Sequence, residues 1–571
     1  MFSKRKESLF EVPVNKKGTS NSNAFVNAGL KDSAVTYTGK GALAYSTTDN
    51  DFVDQFGSVG QFLAPRDYKD IAKDMGILYM QDKEKAVKFT LYLRLISRKC
   101  KTFDGEVTEN VQRGAGLKYE SIMRMVWLHT NDENAFWDNI GLFIAVGSWK
   151  DVFEMMRTDL EFNGFNDKVL NWERMSALIS AGLQNKETSE LVKKYLPQIT
   201  AKSKCTTVRK QANTIIGKYI SNRLFGENSY KKYRKLKSSG SAHVWQQLIS
   251  KQLFKDIDFD TVHGRALSAM VSGNFLKNND LEDVYIKWIE SKPVAKFTGY
   301  VHELANNINV PNYTCKYSKP LAPYKAMTIN KQYQGLVELA KDGVNTNSGL
   351  IVVRDTSSSM TSTAKGSNMS SYDIGKALGI FFGDMLDGEF SNTWIEFNSN
   401  AKLHKYKGTT FVDKWMSDSS ESYGSTNFMS IIHLFNALKL KGVDEKDFPT
   451  GMICISDGEL NPASLSNTNI EEARIQLMRG GFSKEYVKNF KFVMWNIPNG
   501  YYRDSDTKFQ TFGETKNVFY LSGYDGSILS FLLGGTDMVD EKGNVIEQPK
   551  TDVELFETAM NQEILNLVKI N

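Results

Sequence analysis

Apolar positions recur with helical spacing along the first part of the chain and gather into short continuous runs along the last part. "KYESIMRMVWLHT" (Lys118 to Thr130) and "AFWDNIGLFIAVGSWKDVFEMM" (Ala135 to Met156) place apolar residues three and four apart, which predicts amphipathic helices. Gly147-Ser148 interrupts the second and supplies a stop and a new cap before Trp149. A helix predicted near Thr206 to Leu224 groups Val208, Ala212, Ile215, Ile216, Tyr219, Ile220 and Leu224 on one face. Its other face holds Arg209, Lys210, Asn213 and Lys218. Many such helices, with short turns and little strand signal between Tyr45 and Gln334, predict an all-α bundle or solenoid.

The pattern changes near Asn345. "GLIVVRD", "NTWIEFN", "TGMICISDG", "FKFVMWNIP" and "KNVFYLSG" are short apolar runs, and helical stretches near Tyr372 to Asp387 and Asn427 to Leu440 fall between them. Nearly continuous apolar strands alternating with helices predict a parallel sheet covered on both faces, a doubly wound, Rossmann-like α/β domain. The expected organisation is a flexible basic arm over residues 1–40, an α-helical domain over 41–340 and an α/β domain over 345–571.

At 571 residues the chain is too long for one core, and its 41% hydrophobic and 24% charged residues are ordinary for a globular protein. Cys100, Cys205, Cys315 and Cys454 are far apart with no CxxC, which excludes a zinc ribbon and argues against a disulfide scaffold. No apolar run approaches the roughly 18 residues that span a bilayer, and the basic N-terminus lacks the apolar core of a secretory signal. A cytoplasmic protein, of a bacterium or an infected cell, is expected, or a virion component, with no membrane partner.

"GLIVVRDTSSSMTST" (Gly349 to Thr363) ends a strand on an Asp and a row of hydroxyls. Ligands of open α/β sheets bind at the carboxyl ends of strands. There the D-x-S-x-S spacing lets one loop aim Asp355, Ser357 and Ser359 at a common point. "YGSTN" adds Thr426 and "ISDGE" adds Asp457 from two later loops. Five oxygen side chains with two carboxylates suit a hard divalent cation, Mg2+ above all, that keeps a coordination position for a partner's oxygen. The alternative is a capped polar loop that binds no metal.

This arrangement resembles the metal-ion-dependent adhesion site of von Willebrand factor A domains, through D-T-S-S-S at 355–359, Thr426 and the pair Asp457-Gly458. The resemblance implies that Ser357, Ser359 and Thr426 ligate directly, with Asp355 and Asp457 doing so directly or through water. Enzymatic readings fare worse. A phosphotransferase nucleophile lacks its second Asp, since that position is Ser357, and "STAK" (Ser362 to Lys365) has no K-T-G or S-D-N companion. The six histidines show no HExxH or paired spacing. The expectation is a protein that is not an enzyme.

The net charge is only +5, yet thirteen Lys or Arg residues face one acidic residue, Glu227, between Leu191 and Gly240. Aromatics run through the same segment. Clustered cations neutralise phosphates, and aromatic planes stack on unpaired bases, although such a run also suits a solvated helix face. Lys202, Lys204, Arg209, Lys210, Lys231, Lys232, Arg234 and Lys235 are the candidate RNA contacts.

A helical domain followed by a von Willebrand A domain resembles the TROVE-type, Ro-like family. The matching segments are "GALAYSTT", "VQRGAGLKYE", "KYLPQI", "YKKYRKLKSSG" and "PYKAMTINKQYQGLVELA". The resemblance implies a HEAT-like helical ring closed by the A domain, a single-stranded RNA end in its hole and structured RNA on a basic outer surface. It favours Arg209, Lys210, Arg234 and Lys235 as phosphate contacts. Arg113-Gly114-Ala115-Gly116 lacks the family's charged Gly-Glu-Arg continuation, so the family's RNA specificity need not carry over. Two functions follow as expectations: a non-coding RNA chaperone or ribonucleoprotein component, or an assembly factor, including a viral structural one, whose metal grips a partner carboxylate.

Overall fold

The computed structural model describes residues 34–102, 105–162, 169–201, 204, 206–239, 244–262, 264–308, 321–500, 507–534 and 548–570. Most of the expected N-terminal arm and Lys202 lie outside them. The chain forms two compact units, an α/β unit of residues 1–65, 113–115 and 263–562 and a helical unit of 66–112, 116–262 and 563–571.

The α/β unit is built on a six-stranded sheet. After a small hairpin of β1 (Val35–Tyr37) and β2 (Leu43–Tyr45), the sheet strands are β3 (Leu350–Asp355), β4 (Thr393–Phe397), β5 (Ala401–Lys405), β6 (Gly451–Ser456), β7 (Lys491–Asn496) and β8 (Val518–Ser522). Their order is β5-β4-β3-β6-β7-β8, parallel except for the antiparallel edge strand β5. The chain therefore reverses its direction of travel across the sheet between β3 and β6. That is the topological switch point, where loops from two adjacent strands part and leave a crevice.

Both faces are covered, as the apolar runs require. Ile351 and Val353 of β3 join Met452, Cys454, Ile431, Phe435 and Phe492 in one buried cluster. On the other face the Ser371–Met385 helix packs against β3, with Gly375 against Ile455 and the Phe382 ring tilted against Trp495, their centres 4.8 Å apart.

The compact units depart from the sequence-order division expected at residues 340 and 345. The Asp51–Gly57 helix packs on β8, and residues 263–342 cluster with the sheet. Gly60 donates to Ser522 Oγ at 2.9 Å, and a Cβ there would stand 2.2 Å from that oxygen, so glycine is what permits the approach. Arg113 of the Gly-rich motif is structural. Its buried guanidinium donates to the carbonyls of Leu339, Ala340 and Asp342, at the C-terminal end of the Pro323–Lys341 helix. The last residues leave the α/β unit and join the helical one, where Lys569 and Asn139 exchange two hydrogen bonds.

In the helical unit, sequential helices pair with their neighbours, Tyr68–Gln81 with Lys83–Arg94, then Lys118–Asn131, then Glu133–Val146. Asp82 and Asp132 each end one helix and cap the next, which makes the connections one residue long. The predicted break at Gly147-Ser148 separates Glu133–Val146 from Trp149–Phe162. Among the described residues no helix is long and apolar enough to cross a membrane.

Candidate metal centre and cationic helix

The switch point collects all five sequence-predicted oxygens. Asp355 is the last residue of β3, and its Oδ1 accepts from the Ser357 backbone N–H at 2.8 Å, closing a tight turn. That turn brings Ser357 Oγ within 3.1 Å of Ser359 Oγ. The loop carrying Thr426 is laced onto it, with Tyr423 N–H donating to Thr356 O, Ser422 Oγ to Ser357 O and Ser358 N–H to Gly424 O. From the adjacent strand, Ser456 Oγ donates to Asp355 Oδ2 at 2.6 Å, and Asp457 follows directly. Asp355, Ser357, Thr426 and Asp457 are buried.

Burial and then the nearby Asp457 charge push the Asp355 carboxyl above its ordinary range. Burial also raises Asp457, opposed by the Glu459 N–H, Ser359 and the Lys40 charge. Asp457 Oδ2 is buried and makes no hydrogen bond of ordinary geometry, although Ser359 and Asn499 stand near enough to favour its charged form. Two buried carboxyls close enough to sense each other's charge, hydroxyl oxygens and a buried carboxylate oxygen without a hydrogen-bond partner form a donor set that suits a hard divalent cation. Among the described residues no group of three or more His, Cys, Asp or Glu side chains offers a carboxylate- or nitrogen-rich alternative.

Three residues of the site escaped the sequence reading. Asn499 Nδ2 donates to Ser359 O at 3.2 Å. Glu459, two residues after Asp457, is pushed up by burial and then by the Asp457 charge. Lys40, from the tip of the β1–β2 hairpin, donates to Ser359 Oγ at 3.4 Å and to Thr426 Oγ1.

The candidate RNA contacts lie in the helical unit. In the Val208–Phe225 helix Ala212, Ile216 and Ile220 are buried as predicted, while Val208, its first residue, is exposed. Arg209 is exposed but held by Glu154 at 2.8 Å, and Lys204 and Lys210 are exposed. The Tyr230–Ser238 helix buries Tyr233, whose hydroxyl donates to Pro197 O at 2.8 Å, and exposes Lys231, Lys232, Arg234 and Lys235. Among the described residues none of these four has a carboxylate within ion-pair distance, unlike Lys193 on Glu190 or Arg223 on Glu173.

A family model described as "Domain of unknown function (DUF7788)" matches residues 349–569, the sheet and its site. No curated protein matches the chain. The fold is similar to the crystal structure of the Deinococcus radiodurans RO (RSR) protein, at 11% identity and a TM-score of 0.37, over 72% of this chain and 87% of that one. A likeness that slight carries no functional argument.

Proposed function

We propose that the chain is a non-enzymatic RNA-binding scaffold, a ribonucleoprotein component whose helical unit holds RNA phosphates. The supporting observation is the Tyr230–Ser238 helix, where four exposed cations have no acidic partner among the described residues. Surface lysines whose role is solubility are commonly interleaved with carboxylates, whereas an unbalanced row raises the local potential and attracts a polyanion. The test is affinity for a duplex RNA with a single-stranded 3′ tail, against a blunt duplex, across a salt series. Reversing Lys231, Lys232 and Arg234 to Glu is expected to weaken binding about tenfold or more at 50 mM salt. It should also flatten the log–log salt slope by about two. Unchanged affinity and slope would end the RNA reading.

A second reading has its own observation, the unmatched Asp457 Oδ2 among converging hydroxyls. It is a Mg2+-type adhesion site at which the metal, held by Asp355, Ser357, Ser359, Thr426 and Asp457, accepts a carboxylate from a protein partner. The two readings are separable. RNA binding survives Asp355→Asn, while metal-bridged adhesion disappears with that substitution or with EDTA and tolerates the lysine reversals.

A further inference from the structure

The β1–β2 hairpin puts a cation of the chain's own onto the candidate metal ligands. Its tip is tight, with Thr38 N–H donating to Ala42 O and Gly41 N–H to Thr38 O, both at 2.9 Å. Thr38 Oγ1 fastens it to Leu460 O at 2.8 Å, one residue beyond Glu459. A Cβ at Gly39 would stand 2.6 Å from Glu459 Oε2, so a glycine lets the tip come this close. Lys40 then reaches inward to the hydroxyls of Ser359 and Thr426, two of the five oxygens assigned to the metal.

We infer that Lys40 is a tethered counter-ion of this site, which a divalent cation must displace in order to bind. The inference rests on the metal reading above. An ammonium and a metal ion are both cations that need the same oxygens, and the two cannot share them. The ammonium is the poorer match. It brings one positive charge to two buried carboxylates and leaves Asp457 Oδ2 without a hydrogen bond, whereas a divalent ion balances both.

The hairpin is also built to yield. Its two strands are three residues each, and Val35 and Tyr37 on β1 are exposed. A two-stranded ribbon of that size has little stability of its own. Its base is fixed, since Tyr45 and Phe509 exchange backbone hydrogen bonds at 2.7 and 2.9 Å and Ala34 and Tyr45 lie in the sheet's core cluster. The tip residues Gly39 to Gly41, between the buried Thr38 and Ala42, can therefore lift while the base stays anchored. Metal binding and exposure of the site's mouth become one coupled event, because each cation excludes the other.

The test is Mn2+ titration of the full chain, of Lys40→Met and of Lys40→Met/Asp355→Asn. It is paired with amide hydrogen exchange at residues 38–42 of the unsubstituted chain. Methionine keeps the length of the stem and removes the charge. The expected result is Mn2+ affinity at least tenfold higher in Lys40→Met than in the unsubstituted chain and lost in the double variant. Saturating Mn2+ should speed exchange at the tip of the unsubstituted chain. Equal affinities for the unsubstituted chain and Lys40→Met would overturn displacement and leave the metal reading standing. No Mn2+ binding by any of the three proteins would overturn both. Tip exchange indifferent to bound Mn2+ would show that the metal and Lys40 do not compete.

Discussion

Arg354→Ala is expected to destabilise the α/β unit by about 3–5 kcal/mol, measured by urea unfolding, because it strands a buried carboxylate. Arg354 lies one residue before the metal-site aspartate, on the opposite face of β3. Its side chain and that of Asp418 are 2% and 1% exposed, with Nη1 2.5 Å from Asp418 Oδ2. The guanidinium lies 4.0 Å from the centre of the Trp394 ring and also donates to Tyr406. Gly379 makes room for it, since a Cβ there would stand 2.5 Å from Arg354 Cδ. After substitution, Asp418 would keep two donors from Ser420 and the charge of Lys376, which is why the loss is not larger.

The pH dependence carries the same signature. The Arg354 charge holds the Asp418 carboxyl down at about 2 despite its burial. A depressed folded value means stability that is present above the unfolded carboxylate range, near 3.8, and is lost as pH falls through about 2. The variant should lose stability less steeply over that window. Arg354→Met/Asp418→Asn is expected to recover most of the loss, since removing both charges removes the stranded one. An Arg354→Met cost below about 1 kcal/mol would mean that the pair contributes nothing beyond packing.

What the sequence made legible, and what it hid, follows from the range of the interactions. β3 and β6 were readable because a strand buried on both faces must be apolar at nearly every position. Asp355, Ser357 and Ser359 were readable because the turn joining them is local, closed by a hydrogen bond two residues long. β5 was not. It is an edge strand whose Lys402, Leu403 and Lys405 face solvent, so it carries no apolar run, and its lysines discourage further pairing. The partners of Arg354 and Asp457 come from loops whose approach no periodicity encodes. Lys40 is the extreme case. It closes a stretch rich in Lys, Ser and Asn that reads as a solvated arm, and it meets Ser359 across 319 positions of chain. The compact units depart from the sequence-order division for a related reason. Amphipathic helices carry no mark of which core they cover, so those of residues 263–342 read as part of the helical block although they cluster with the sheet.

Asp355→Asn and Asp355→Ala are expected to move stability in opposite directions in the presence of EDTA, while both abolish binding of divalent cations. The asparagine keeps an oxygen to accept the Ser357 N–H and an amide to donate to Ser456 Oγ, which already accepts from the Gly458 N–H and has a second lone pair for it. It removes a buried carboxyl whose pKa is raised first by burial and then by the nearby Asp457 charge, and leaves Asp457 opposite the single charge of Lys40. A gain of about 1 kcal/mol follows from relieving a like-charge contact in a dry site. The alanine relieves the same repulsion but orphans the Ser357 N–H and the Ser456 hydroxyl and leaves a void, a net loss of about 1–3 kcal/mol. Chemical unfolding of the three proteins in EDTA decides the sign. Their Mn2+ titrations decide whether affinity falls by the hundredfold or more expected when one of two carboxylate ligands is lost. If both substitutions destabilise equally, Asp355 is held in place for its hydrogen bonds. The repulsion that makes this loop a cation site, with Lys40 or a metal as its answer, would then be too weak to matter.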